Sequence, residues 1–108
     1  MTLPPDFEVP ADWQPAIDRI TDIIYAAGWE GVGTVVIPTR DVGNRPGTAD
    51  GVAGGYTFAQ AVTAHIDRLA ADQGGNLYLK WTVVYDHNER CFLAVNRAWI
   101  RLTTRPQG

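Results

Sequence analysis

The chain has 108 residues, with 45% hydrophobic and 19% charged residues, which is ordinary for a single globular domain. This composition excludes global disorder, and the single cysteine, Cys91, excludes an intramolecular disulfide or a cysteine metal cluster. The net charge of −3 is unevenly spread, because residues 1–76 carry four basic residues against ten acids and residues 77–108 carry five against two. Either these charges neighbour one another in the fold, or the basic end meets an anionic partner or a second copy.

The first residues predict an extended arm. Residues 1–12 carry three prolines and three acids before any periodic pattern, and they include no apolar run of the kind found in signal peptides. Nothing elsewhere in the chain approaches the roughly 18 consecutive apolar residues of a membrane span. We therefore expect a cytoplasmic protein that has no membrane partner.

A first helix is predicted over residues 13–27. Asp12 can accept the free N–H groups of its first turn, and Gly28 can supply a left-handed stop. Its apolar residues recur at the spacing of one buried helical stripe: Ile17, Ile20, Ile24 and Ala27.

A short strand and a long loop follow. Residues 32–37 are mostly β-branched and are closed by Pro38, a pattern that predicts a strand. Residues 39–55 contain five glycines and predict a loop much longer than the usual connection of about 4–6 residues. A loop of this length is either functional or loosely held. Its charged candidates for contact with a ligand or partner are Arg40 and Arg45.

A second helix is predicted from Thr57 to Gln73. Thr57 and Gln60 have the spacing of a capping box, and Gly74 and Gly75 end the helix. The glycines before Thr57 lack the Gly-Lys-Ser/Thr ending of a phosphate-binding loop, so we expect a flexible connector and no cofactor.

The last third of the chain predicts a long β-hairpin. Residues 77–85 and 90–103 alternate in character and are joined by the polar link 86–89, and we expect Tyr85 to lie opposite Arg90. One face is then almost entirely apolar and becomes the core face: Leu77, Leu79, Trp81, Val83, Phe92, Ala94, Ala98, Ile100 and Leu102. A slip by one residue would bury Lys80 and Arg97, at a cost of several kcal/mol each, so the alternation fixes the faces.

These elements predict an α+β fold for a single domain spanning residues 1–108. The element order is α-β-α-β-β, and two helices pack on one face of a small three-stranded sheet that ends in the hairpin. The strand–helix–strand segment predicts a parallel or a separated pair of strands.

The second face of the hairpin carries the leading functional hypothesis. Aromatic, arginine and apolar side chains that mix on an exposed sheet face are typical of protein-binding hot spots. We therefore expect a non-enzymatic protein–protein interaction module, able also to self-associate, that binds a protein partner through these residues: Tyr78, Lys80, Leu93, Val95, Arg97, Trp99 and Arg101.

Two alternatives stay open. In the first, the chain is a small-molecule-binding protein or a small enzyme, with the 39–55 loop as a lid over His65, which the sequence cannot bring near Tyr56, Asp67 or Cys91. In the second, the chain binds single-stranded nucleic acid, which its acidic character disfavours. No catalytic residue is assigned, and no metal site is expected because the two histidines lack metal-ligand spacing.

Overall fold

The computed structural model of the chain describes residues 8–42, 52–76 and 79–98. The observed elements, in chain order, are helix α1 (Gln14–Trp29), strand β1 (Thr34–Pro38), helix α2 (Val52–Asp72), strand β2 (Trp81–Asp86) and strand β3 (Cys91–Asn96). This confirms the predicted α-β-α-β-β order, and 3-10 helices at Ala11–Trp13 and Thr39–Val42 are added to it.

Helix α1 keeps the predicted stripe but has different ends. Ile17, Ile20 and Ile24 are all buried, as their spacing predicts. The predicted cap, Asp12, instead lies inside the 3-10 helix that leads into α1. The left-handed stop is Gly31, whose φ is +83°, rather than Gly28.

Gly28 has a packing role inside α1. A Cβ atom at this position would lie 3.0 Å from Cζ2 of Trp81, so the absent side chain lets the helix approach the indole. Trp81 is only 1% exposed, and this confirms that its side of the hairpin is the core face.

The three strands form one antiparallel sheet in the order β1-β3-β2. Strands β1 and β2 therefore run parallel but are separated by β3, which is the second of the two arrangements that the sequence allowed. Both helices contribute to one core cluster with the inward side chains of the sheet, among them Trp81, Val83, Phe92 and Ala94. Within the described residues, helices α1 and α2 thus cover one face of the sheet.

The hairpin is shorter than predicted, and its register differs by two residues. Tyr85 lies opposite Phe92 rather than Arg90. Asp86 accepts hydrogen bonds from the N–H groups of Asn88 and Glu89 through Oδ1, at 3.1 and 3.2 Å, and so holds the turn. Arg90 belongs to this turn, with φ +52°. A shift by two residues leaves the side chains of the paired residues 81–86 and 91–96 on their predicted faces.

Helix α2 begins well before the predicted capping box. It already includes Val52, so the predicted box residues Thr57 and Gln60 lie inside the helix. Both ends of the predicted 39–55 loop are helical, at Thr39–Val42 and from Val52 onward, and residues 43–51 lie outside the described residues. The predicted end is confirmed, because Gly74 and Gly75 follow Asp72 with φ of +86° and +73°.

Gly55 allows the early start of α2. A Cβ atom here would overlap the ring of Tyr85, which lies against the helix at this residue. Tyr85 is held in place by two further rings, with centroid distances of 5.6 Å to Tyr56 and 5.2 Å to Phe92. The glycine that looked like part of a loop is therefore a helix–strand contact.

The outer edge of β2 is sealed by α2. The Arg97 N–H donates to the Lys80 C=O, so the even-numbered residues of β2 bond to β3 and Val83 points its backbone groups outward. The Thr63 hydroxyl accepts from the Val83 N–H at 2.9 Å and lies 3.3 Å from the Val83 C=O. It is also 3.0 Å from the Ala59 C=O. The Thr63 side chain thus provides a hydrogen-bond partner for the backbone of Val83 in the middle of this edge.

We expect Gly55→Ala to lower the free energy of unfolding by about 1–3 kcal/mol, because the added methyl group meets the packed ring of Tyr85. Urea denaturation measures this loss. In a Tyr85→Ala background the same substitution should cost much less, since the ring is gone. An equal loss in both backgrounds would contradict the contact.

Replacing Thr63 with valine should destabilise the domain by about 1–3 kcal/mol, because the Val83 N–H loses its acceptor. Thr63→Ser is the matched control, since it keeps the hydroxyl and should retain most of the stability in the same denaturation experiment. Equal melting of the two variants would show that the hydroxyl does not seal the edge.

Candidate protein-interaction surface

The face of the sheet turned away from the helices is the candidate site, and we name it the open face. Its members are Thr34, Val36, Pro38, Thr82, Val84, Asp86, Cys91, Leu93 and Val95. The register places Val36, Leu93 and Val84 side by side across all three strands. Val36 is 63% exposed and Val84 is 46% exposed, so the row is apolar and reaches solvent at both ends.

Leu93 and Val95, two of the predicted partner-binding residues, are on the open face as predicted. Both are half-buried, because the neighbouring strands cover their flanks. Thr34 and Thr82 lie on either side of Val95. Strand β1 thus adds a third strand to a surface that the sequence assigned to the hairpin alone.

Arg97 is not on a strand, and this differs from the prediction. Strand β3 ends at Asn96, whose side-chain oxygen accepts a hydrogen bond from the Ala98 N–H at 3.0 Å. The backbone of Arg97 and Ala98 is helical. An asparagine side chain that bonds to the backbone two residues later favours this change from strand to helix.

The guanidinium of Arg97 is engaged within the domain. It lies 3.1 Å from Oδ1 of Asp67 on α2, and its Nε donates to the Thr82 hydroxyl at 3.0 Å. Both charged side chains remain about one-third to two-fifths exposed, so the pair contributes little stability but fixes the arginine at the edge of the open face. Thr82 is the open-face residue that positions it.

The remaining predicted residues have different outcomes. Lys80 is half-buried and lies opposite Arg97, where the sequence had placed Tyr78. Tyr78, Trp99 and Arg101 lie outside the described residues, as does Arg45. Arg40 is exposed in the 3-10 helix that follows β1.

His65 lies between the two helices. Residues 43–51 of the predicted lid lie outside the described residues. Its Nε2 is 4.0 Å from Oδ1 of Asp18 on α1, a carboxylate that is itself more than half exposed. The groups that could complete a catalytic base are placed elsewhere: Tyr56 packs on Tyr85, and Asp67 faces Arg97. Because the imidazole meets only an exposed acid here, the contact resembles a surface ion pair more than a catalytic centre.

Cys91 lies on the open face but is buried, flanked by Pro38 and Asp86 on the two neighbouring strands. Burial raises the pKa of the Cys91 thiol, and the negative charges of Asp86 and Glu89 raise this pKa further. The thiol is therefore mostly protonated near neutral pH, which favours an inert role.

Sequence reasoning missed Trp29, which is 89% exposed at the end of α1. Its position off the Ile17–Ile24 stripe was a signal that it faces solvent. The sequence also gave no sign that β1 pairs with β3, so Val36 was absent from the predicted site.

Among residues 8–42, 52–76 and 79–98, no three His, Cys, Asp or Glu side chains are grouped closely enough to hold a metal ion. No helix within these ranges has the length and apolar character needed to cross a membrane. Comparison with protein-family models, curated proteins and solved structures finds no match to this chain. The open face is therefore the feature from which a function is inferred.

We expect alkylation of Cys91 by iodoacetamide to be slow in the native protein and fast in urea, because folding buries the thiol and raises its pKa. The native rate should rise with pH as the thiolate forms. Asp86→Asn should raise the rate at fixed pH by removing a negative charge that disfavours the thiolate. Asp22→Asn, on α1, is the control and should leave the rate unchanged.

Proposed function

We propose that this domain is a non-enzymatic protein–protein interaction module that binds its partner through the open face. One observation carries the proposal: the apolar row Val36–Leu93–Val84 crosses the whole sheet, and both of its ends are exposed. The helices already fill the other face with a closed core, so nothing in that core requires this row. An apolar row that faces water is a common feature of protein-binding surfaces.

The rim of this surface supports a protein partner rather than single-stranded nucleic acid. Arg97 is paired with Asp67, which lowers the positive charge available at the rim. Asp86 adds a negative charge on the open face itself. A nucleic-acid groove combines unpaired basic residues with stacking aromatic rings. Tyr78, Trp99 and Arg101 lie outside the described residues, and they stay in the proposal as predicted from the sequence alone.

The small-molecule alternative has one observation in its favour, the proximity of Asp18 to His65. A carboxylate that orients an imidazole is part of many general bases. Here the acid is exposed, and the other candidate groups are occupied in packing or ion pairing. The interaction module is therefore the better supported reading.

Site-directed photo-crosslinking in the native cell tests the proposal. A photoreactive amino acid at position 84 should crosslink to a distinct protein partner, whereas the same group at position 22, on the exposed side of α1, should not. The expected difference follows from burial of the apolar row in the complex. Equal or absent crosslinking at both positions would contradict the proposal.

The substitution Val84→Lys should reduce capture of that partner by about tenfold or more, because it places a charge within the apolar contact at one end of the row. The melting temperature should change little, since Val84 is exposed on an edge strand. Trp29→Lys is the matched control, because it removes an exposed apolar residue from the covered side of the sheet. Loss of capture in the control alone would assign binding to α1 instead.

A further inference from the structure

The two edges of the sheet differ in the hydrogen bonding of their outward-pointing backbone groups. At the outer edge of β2 the Thr63 hydroxyl bonds to the backbone of Val83, whereas strand β1 forms the opposite edge. At the ends of β1, the Asn96 N–H donates to the Gly33 C=O and the Thr39 N–H donates to the Arg90 C=O. Antiparallel bonding alternates, so the odd-numbered residues of this strand bond to β3.

Thr34 and Val36 consequently point their backbone N–H and C=O groups away from the sheet. No hydrogen bond from the described part of the chain reaches these groups, and both residues are exposed. The strand Thr34–Pro38 contains no charged residue, and only its last position, Pro38, lacks an N–H. Charges and prolines are the usual means of blocking an edge, so β1 is an edge able to accept another strand.

We propose that β1 pairs antiparallel with β1 of a second copy, forming a twofold dimer with one continuous six-stranded sheet. This goes beyond the proposed function, since it uses the edge of β1 rather than the open face. A register centred on Val35 lets Thr34 and Val36 of one copy bond to Val36 and Thr34 of the other. All four outward N–H groups then find a C=O partner, and the two half-buried Val35 side chains meet at the axis.

Charge complementarity favours a second copy as the occupant. Glu30 precedes β1 and Arg40 follows it, and both are exposed. An antiparallel pairing brings the start of one strand to the end of the other, so each Glu30 approaches the Arg40 of its partner. A twofold axis makes this contact twice. A parallel pairing would instead bring like charges together.

Sedimentation velocity over a range of protein concentrations tests the dimer. The wild type should shift from one copy to two as concentration rises, and Thr34→Pro should remain a single copy, because proline removes an outward N–H. The same proline keeps the bonds of β1 to β3, so circular dichroism should show an intact fold. A wild type that stays monomeric at its highest soluble concentration, or a folded Thr34→Pro variant that dimerises like the wild type, would overturn the proposal.

A charge-swap experiment keeps the proposal testable even if the proline variant does not fold. Glu30→Arg and Arg40→Glu should each weaken self-association, by about tenfold at low salt. An equimolar mixture of the two variants should recover the wild-type affinity, because both contacts in the mixed dimer again join opposite charges. Failure of the mixture to recover overturns the antiparallel pairing.

The proposed open-face function and the proposed β1 dimer can be disproved independently of each other. Val84 lies on β2, at the far side of the sheet from the β1 edge. Val84→Lys should therefore leave the sedimentation behaviour unchanged while it reduces capture of the protein partner. Thr34→Pro should abolish the dimer, and a loss of sedimentation shift in Val84→Lys would contradict the placement of the interface at β1.

Discussion

Trp81 lies under the last turns of α1, and the absent side chain of Gly28 leaves room for its indole. The contact determines which way strand β2 faces, because alternation along the strand then directs Val83 inward and Val84 outward. Residues that are paired across strands point to the same face, so Leu93 on β3 and Val36 on β1 point outward with Val84. The open face is thus a consequence of how one tryptophan is buried.

A second glycine repeats this arrangement on α2. Because Gly55 has no side chain, the ring of Tyr85 can pack against α2, just as the ring of Trp81 packs against Gly28 of α1. Both helices therefore approach strand β2 closely. The rings of Trp13, Phe58, Phe92, Tyr85 and Tyr56 continue from one to the next at centroid distances of 5.2–5.7 Å. Such edge and tilted contacts are favourable beyond the area they bury. Aromatic packing therefore links the N-terminal 3-10 helix, α2 and the hairpin.

The sequence was informative where the pattern is local and periodic. The stripe of α1 and the two faces of the hairpin follow from spacing alone, and each is confirmed in the described residues. The start of α2 was missed because Gly55 has a low intrinsic helix propensity that packing against Tyr85 outweighs. The predicted hairpin register was wrong by two residues because Arg90 adopts a left-handed backbone conformation. Such a conformation is uncommon for arginine, so the sequence does not predict it. The ion pair of Arg97 with Asp67 joins residues 30 positions apart, a contact that no local signal encodes.

The sealed edge of β2 also limits how far any association of these sheets can extend. Addition of a strand at β1 consumes the open edge of each copy, and the Thr63 hydroxyl already occupies the backbone of Val83 at the other end. A sheet with two equally available edges could grow without limit into a fibril. In the proposed dimer both β1 edges are already paired, and the Thr63 hydroxyl would have to leave the Val83 backbone before another strand could bond there. This threonine therefore disfavours continued growth of the sheet toward an amyloid-like fibre.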